Sequence, residues 1–176
     1  MIPAFVIHNS SSSERDDVVK DVQTKTKAMV VEGVFEANRK DGCRHAHQNV
    51  ARLARSLHPT KHYLVFEDDC ILSEDWERCI EGMEMADVLY LGYNDKCEHT
   101  TFGTHALMIS PKARDKILSE SEKLKDVVAD KGAYDHVLSK LCRQEGLLTA
   151  MPPVDERKRW AWQKEGLKST ITGQAR

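Results

Sequence analysis

Blocks of apolar residues separated by polar turns run along this chain, and their period switches between the two-residue repeat of strands and the 3.6-residue repeat of helices. Phe5 to His8 reads as a short first strand. The polar turn Asn9 to Ser13 follows, and Ser13 with Asp16 three residues later predicts a helix start. Val18, Val19 and Val22 then supply an apolar face at helical spacing. Ala28 to Phe35 is rich in valine and reads as strand, interrupted by Gly33. Between Gly42 and Leu57, the residues Val50, Leu53, Ala54 and Leu57 recur at i, i+3, i+4 and i+7, which predicts a helix closed by Pro59.

Tyr63 to Glu67 is an unbroken apolar run ending in an acid, the pattern of a strand covered on both faces. Ser73 predicts the cap of a helix with Trp76, Cys79, Ile80 and Met83 on one side. Val88 to Leu91 reads as a buried strand ended by Gly92. A polar loop with Cys97 and His99 leads to a further strand from His105 to Ile109. Ser110-Pro111 opens a helix with proline in the favoured first position. A last helix spans about Asp135 to Gln144, with Leu138, Leu141 and Cys142 on one face, and stops at Gly146. Leu147 to Met151 reads as an edge strand before Pro152-Pro153. Strands alternating with helices predict an α/β architecture with a mostly parallel sheet.

Composition narrows the partners. The 176 residues predict one domain, 1–176, with a full hydrophobic core. Charged residues make up 31% and the formal net charge is −2, so the basic footprint of a nucleic-acid binder is missing. No apolar run approaches a membrane span, and the start lacks the basic region of a signal peptide. The cysteines Cys43, Cys70, Cys79, Cys97 and Cys142 form no C-x-x-C pair, which argues against zinc and for free thiols in a reducing cytosol. A cytoplasmic protein is the expectation. Cys79 and Cys142 read as small core residues.

Candidate chemistry concentrates in Glu67-Asp68-Asp69. Ligands of open α/β sheets gather at the carboxyl ends of strands, where these acids fall. Adjacent carboxylates repel one another and raise each other's pKa unless a cation compensates. Mg²⁺ or Mn²⁺, bridging to a substrate diphosphate, is the natural partner, with a solvated acidic turn as the alternative. Glu67 and Asp69 are two residues apart and would share a face of an extended strand. At the start of the last helix, the Asp135 carboxylate is favoured by the macrodipole and reads either as a base or as an ordinary N-cap. The backbone N–H groups of Ser10 to Ser13 either meet a phosphate or belong to a flexible turn. The basic and aromatic tail Glu156 to Trp162 reads as an acceptor or membrane contact, or as a solvated helix face.

Several motifs, in order, resemble glycosyltransferase family 25, the lipopolysaccharide-type and procollagen galactosyltransferases. Gly42-Cys43-Arg44-His45-Ala46-His47 is similar to the family's G-C-x-x-S-H helix start, with Ala46 in place of the serine. Val65-Phe66-Glu67-Asp68-Asp69 resembles its E-D-D form of the D-x-D motif. Asp87 to Gly92 resembles its strand ending in Leu-Gly, and Gly103-Thr104-His105-Ala106 its G-T-x-A segment. Tyr134-Asp135-His136 is similar to the helix start at which the family carries an aspartate. The first strand departs from the family: it ends His8-Asn9-Ser10 rather than Asn-Leu, although Arg15 keeps the arginine that follows. The chain is also shorter than most members.

The resemblance implies a GT-A-like, Rossmann-type three-layer sandwich. It also implies inverting transfer of a hexose, galactose or glucose, from a nucleotide sugar such as a UDP-hexose to a glycan or protein-linked hydroxyl. On that reading Asp69 and Glu67 bind Mn²⁺ or Mg²⁺, and Asp135 is the catalytic base. His8, Asn9, Arg15, Glu67, Asp68 and His105 contact the donor. For His105 a structural hydrogen bond is the competing reading, and His47 reads as structural. Two rivals stand beside it: a sugar-nucleotide-binding protein without transferase activity, and a metal-dependent phosphoryl-transfer enzyme, for which no Gly-rich phosphate loop is present.

Overall fold

The computed structural model describes residues 1–93, 103–128, 132–151 and 161–163. Strand β1 (Ala4–His8) leads through a single 3₁₀ turn, Ser13–Arg15, into α1 (Asp16–Thr26) and β2 (Met29–Glu32). Helix α2 (Arg39–Leu57) precedes β3 (Tyr63–Glu67), β4 (Cys70–Leu72), a 3₁₀ turn at Trp76–Cys79, β5 (Val88–Tyr90) and β6 (Gly92–Tyr93). Strand β7 (Ala106–Ile109), helices α3 (Pro111–Leu124) and α4 (Tyr134–Gln144), and the short β8 (Thr149–Ala150) and β9 (Ala161–Gln163) follow.

Six strands form the central sheet in the order β2-β1-β3-β7-β5-β8. β1 pairs parallel with β2 and β3, and β5 parallel with β8, whereas β7 runs antiparallel to both its neighbours. The sheet is therefore mostly parallel with one reversed strand, which the periodicity alone did not reveal. Because side chains alternate across a strand, each strand feeds two cores. Ala4, Val6, Leu64, Phe66, Ala106 and Met108 pack with Val19 and Val22 of α1. Phe5, Tyr63, Val65, Leu107 and Ile109 face α2, α3 and α4 through Val50, Ala51, Ala54, Ala113, Ile117 and Leu138. That is the expected three-layer sandwich.

Helix ends follow local chemistry. Ser110 caps α3 by accepting from Ala113 N at 3.1 Å, with Pro111 first in the helix. Gly146, at φ +59°, ends the stretch after α4 in the left-handed region. Helix α2 starts earlier than expected, at Arg39, because Asn38 accepts from Lys40 N and nucleates a turn before Gly42. Gly42 is then inside the first turns, where a Cβ would meet Val34 O at 2.5 Å, so the close approach of α2 to the preceding loop requires glycine.

The expected helix after Ser73 is not formed. Trp76, Cys79 and Ile80 are buried, and Trp76 meets Phe66 edge-on at a centroid distance of 6.0 Å, so the apolar spacing was meaningful. The segment satisfies that spacing with a 3₁₀ turn and further turns, since Gly82 at φ +78° breaks the helical path. Cys70 to Leu72 instead become β4, in a second three-stranded sheet of order β4-β9-β6. Its central strand lies almost a hundred residues away in sequence, out of reach of any local pattern. The tail residues Ala161 to Gln163 are thus strand rather than helix face, while 152–160 and the Cys97–His99 loop lie outside the described residues.

Candidate active site

The parallel pairing of Ile7 with Glu67 brings the carboxyl ends of β1 and β3 side by side. Glu67 closes β3, and Asp68-Asp69 turn the chain into β4. Asp68 is buried and its carboxylate is engaged by its own chain. Oδ1 accepts from the guanidinium of Arg15, and Oδ2 accepts from Asn9 N at 2.9 Å and lies 3.2 Å from His8 Nδ1. His8 Nε2 reaches Asp16 at 3.2 Å, so the imidazole bridges two carboxylates. Arg15 is 1% exposed and also lies 3.8 Å from Asp69 Oδ2. A charge that deep is tolerated only when paired, so Arg15 and Asp68 depend on each other.

Glu67 belongs to a different set of contacts. Its Oε1 lies 3.0 Å from His47 Nε2 and accepts from Thr104 Oγ1 at 2.7 Å. Burial alone would raise the Glu67 carboxyl, but the hydrogen bonds from His47 and Thr104 and the His47 charge hold it below the ordinary carboxylate range. The His47 ring stacks on Tyr134 at 4.1 Å and 18°. One helical turn before it, Cys43 presents its thiol to the same place, so that Cys43 Sγ, a His47 ring nitrogen and a Glu67 oxygen all lie within 4.8 Å of one another. Burial pushes the Cys43 thiol well up, and the charges of Glu67, Asp135 and Asp69 push it further.

His105 immediately precedes β7, and its carbonyl accepts from Glu67 N at 2.9 Å. Its ring is 3% exposed, and Nε2 finds no hydrogen-bond partner among the described residues. Burial lowers its pKa, against an upward pull from Glu67, which keeps the imidazole neutral near physiological pH. Asp135 is the second residue of α4 and half-buried; Ala133 occupies the N-cap position, so the capping reading of Asp135 does not hold. Its Oδ1 accepts from His136 N at 2.8 Å inside the first turn.

Arg44 positions that helix. Fully buried on α2, it bonds Asp41, donates to Glu122 Oε1 at 3.0 Å and reaches Gly132 O at 3.2 Å, just before α4. Burial would raise the Glu122 carboxyl, but Arg44 and Gln48 hold it at about 2. The structure thus brings Glu67 together with Cys43, His47 and Thr104, with Asp69 and Asp135 near enough for their charges to act on Cys43, while His8, Asn9 and Arg15 gather around Asp68. The Ser10 and Ser11 amides are taken by Glu32 and Asn9, at 3.2 and 3.0 Å. Sequence reasoning passed over Cys43 and Arg44 as site residues. Cys43 and His47, four apart on a helix, were the available signal for the first; nothing local pointed to Glu122 as the partner of the second.

No family model and no curated protein matches the chain. Among solved structures, a glycosyltransferase involved in the glycosylation of the major capsid of PBCV-1 aligns over 96% of this chain and 96% of that one, with a TM-score of 0.62 and 8% identity. The glycosyltransferase GlyE of Streptococcus pneumoniae TIGR4 aligns over 86% of this chain and 45% of its own, with a TM-score of 0.56 and 9% identity. Its apo form gives 0.51 at 7% identity. The fold is that of GT-A-like glycosyltransferases.

A glycosyltransferase-type fold of this kind raises the question of a divalent cation at the acidic turn, and the donor set divides. Asp68 does not fit as a ligand, because Arg15, Asn9 and His8 already hold both its oxygens. Asp69 and Glu67 would offer the carboxylate oxygens that hard ions prefer, with Glu67 Oε1 already accepting from Thr104 and facing His47.

Proposed function

We propose that this chain is an inverting glycosyltransferase of the family 25 type, moving a hexose, galactose or glucose, from a UDP-sugar to a hydroxyl of a glycan or protein-linked acceptor. The observation that carries the reading is the acidic run Glu67 to Asp69 at the carboxyl ends of the parallel strands β1 and β3, in a fold whose solved neighbours include a glycosyltransferase aligned over 96% of both chains.

In this reading Asp69 and Glu67 hold Mn²⁺ or Mg²⁺. Such an ion supplies Lewis-acid stabilisation of the leaving diphosphate. Arg15, His8 and Asn9 act through Asp68, fixing the turn on which Asp69 sits. His105 offers the donor a neutral, buried Nε2. Asp135 takes the proton from the acceptor hydroxyl. It lies half-buried in the first turn of α4, with Oδ1 accepting from His136 N at 2.8 Å.

The test is turnover of UDP-galactose and UDP-glucose with Mn²⁺ by the natural sequence and by Asp69→Asn. Transfer should be abolished in the variant, with its circular dichroism unchanged. Metal-dependent turnover surviving in Asp69→Asn would overturn the assignment, and donor binding without turnover by the natural sequence would favour a sugar-nucleotide-binding protein.

A further inference from the structure

The geometry points to a thiolate-bearing site for a thiophilic divalent cation, Zn²⁺ foremost, held by Cys43 Sγ, a His47 ring nitrogen and a Glu67 carboxylate oxygen. Sequence spacing argues against zinc because no C-x-x-C pair exists, but only tertiary structure adds Glu67 of β3 to the i, i+4 pair on α2. The three ligand atoms lie within 4.8 Å of one another. Zinc bond lengths of about 2.0–2.3 Å place tetrahedral ligands about 3.3–3.8 Å apart. A shift of about an ångström therefore brings all three onto one ion. The ion would replace the proton now shared between His47 Nε2 and Glu67 Oε1, 3.0 Å apart.

The surroundings are those of a supported site. The His47 ring is 2% exposed and fixed by its stacking on Tyr134, and the Thr104 hydroxyl orients the Glu67 carboxylate at 2.7 Å. The neighbouring His105, whose carbonyl accepts from Glu67 N at 2.9 Å, keeps its buried Nε2 without a partner among the described residues. Three protein ligands leave a fourth position open, the arrangement of zinc sites that exchange water or substrate. Thiolate and imidazole suit zinc and disfavour Mg²⁺ and Mn²⁺, so the site differs in chemistry from the oxygen-ligated one at Asp69. Glu67 is common to both readings, so an ion on Cys43 and His47 would take that carboxylate from the ion proposed at Asp69; the test reads metal binding alone and needs no transferase activity.

The test uses the metal alone. Co²⁺ titrated into the reduced full chain should give one equivalent of bound ion with a thiolate-to-cobalt charge-transfer band, bleached by Zn²⁺. Zn²⁺ should slow alkylation of Cys43, read on its peptide by mass spectrometry. Thr104→Val keeps all three ligands and should weaken Zn²⁺ by about 10–100-fold, and Cys43→Ala should weaken it more and remove the charge-transfer band. Cobalt binding without that band in the natural sequence, which requires no variant to fold, would overturn the proposal. So would an unchanged Zn²⁺ affinity in Cys43→Ala.

Discussion

Arg15 and Asp68 are buried together, and neither is stable there alone. Arg15→Leu should cost about 3–5 kcal/mol, because it strands a desolvated carboxylate; urea unfolding measures it. An effect below 1 kcal/mol would mean that water reaches Asp68. The motif reading took Asp68 as one acid among three, and which of the three would turn inward could not be read from adjacency. Asp135 illustrates the opposite case. Its position at a helix start was legible, but the cap lies two residues earlier, at Ala133. Asp135→Asn should leave donor affinity and melting temperature nearly intact and lower kcat by a factor of about 10²–10⁴. Near-normal turnover would move the base elsewhere.

At the scale of elements, Asp87 ties three of them together. At the start of β5 its carboxylate accepts from Ser110 Oγ, the cap of α3, at 2.9 Å, and from Leu148 N, beside β8, at 2.9 Å. Lys112 Nζ adds an ion pair at 3.0 Å. Burial would raise this carboxyl, but the Leu148 amide, Lys112 and Ser110 hold it below the ordinary range. The unfolded chain therefore takes up the proton first. The contribution is fully present above about pH 4, the ordinary Asp value, and is lost as pH falls through the lower folded value. Asp87→Asn should destabilise the protein by about 1.5–3 kcal/mol at pH 7 and flatten the loss of stability on acidification. Denaturant titrations at several pH values check both, and equal acid sensitivity in the two proteins would exclude the linkage.

For the whole molecule, the proposed donor site predicts stabilisation that needs both partners. UDP at a hundredfold excess over its Kd, with Mn²⁺, should add about 2.7 kcal/mol. For a chain of 176 residues that is a rise in melting temperature of about 5–10 °C. In excess chelator the rise should vanish, because a bare diphosphate meets the repulsion of Glu67, Asp69 and Asp135. Equal stabilisation without the ion would remove the cation from the donor site. Among the described residues no helix is long and apolar enough to cross a bilayer.

The sequence by itself determined what depends on neighbours a few residues apart. Strand β3 from Tyr63 to Glu67, the Ser110-Pro111 start of α3, the apolar face of α4 and the α/β alternation all follow from period, cap and turn chemistry. Tertiary structure alone decided the reversed direction of β7, since hydrophobic alternation is the same for parallel and antiparallel strands in a buried sheet. It also decided that Cys70 to Leu72 pair with Ala161 to Gln163, and that Trp76 and Cys79 are buried by a 3₁₀ turn rather than a helix. The site divides along the same line. The acids were visible as a run, but their separation into Asp68 clamped by Arg15 and Glu67 facing His47 and Cys43 arises only when β1, β3 and α2 are packed together. Electrostatic roles are set by close approaches between residues tens of positions apart, such as 3.8 Å for Arg15 and Asp69 and 3.0 Å for His47 and Glu67, a quantity that no local pattern carries.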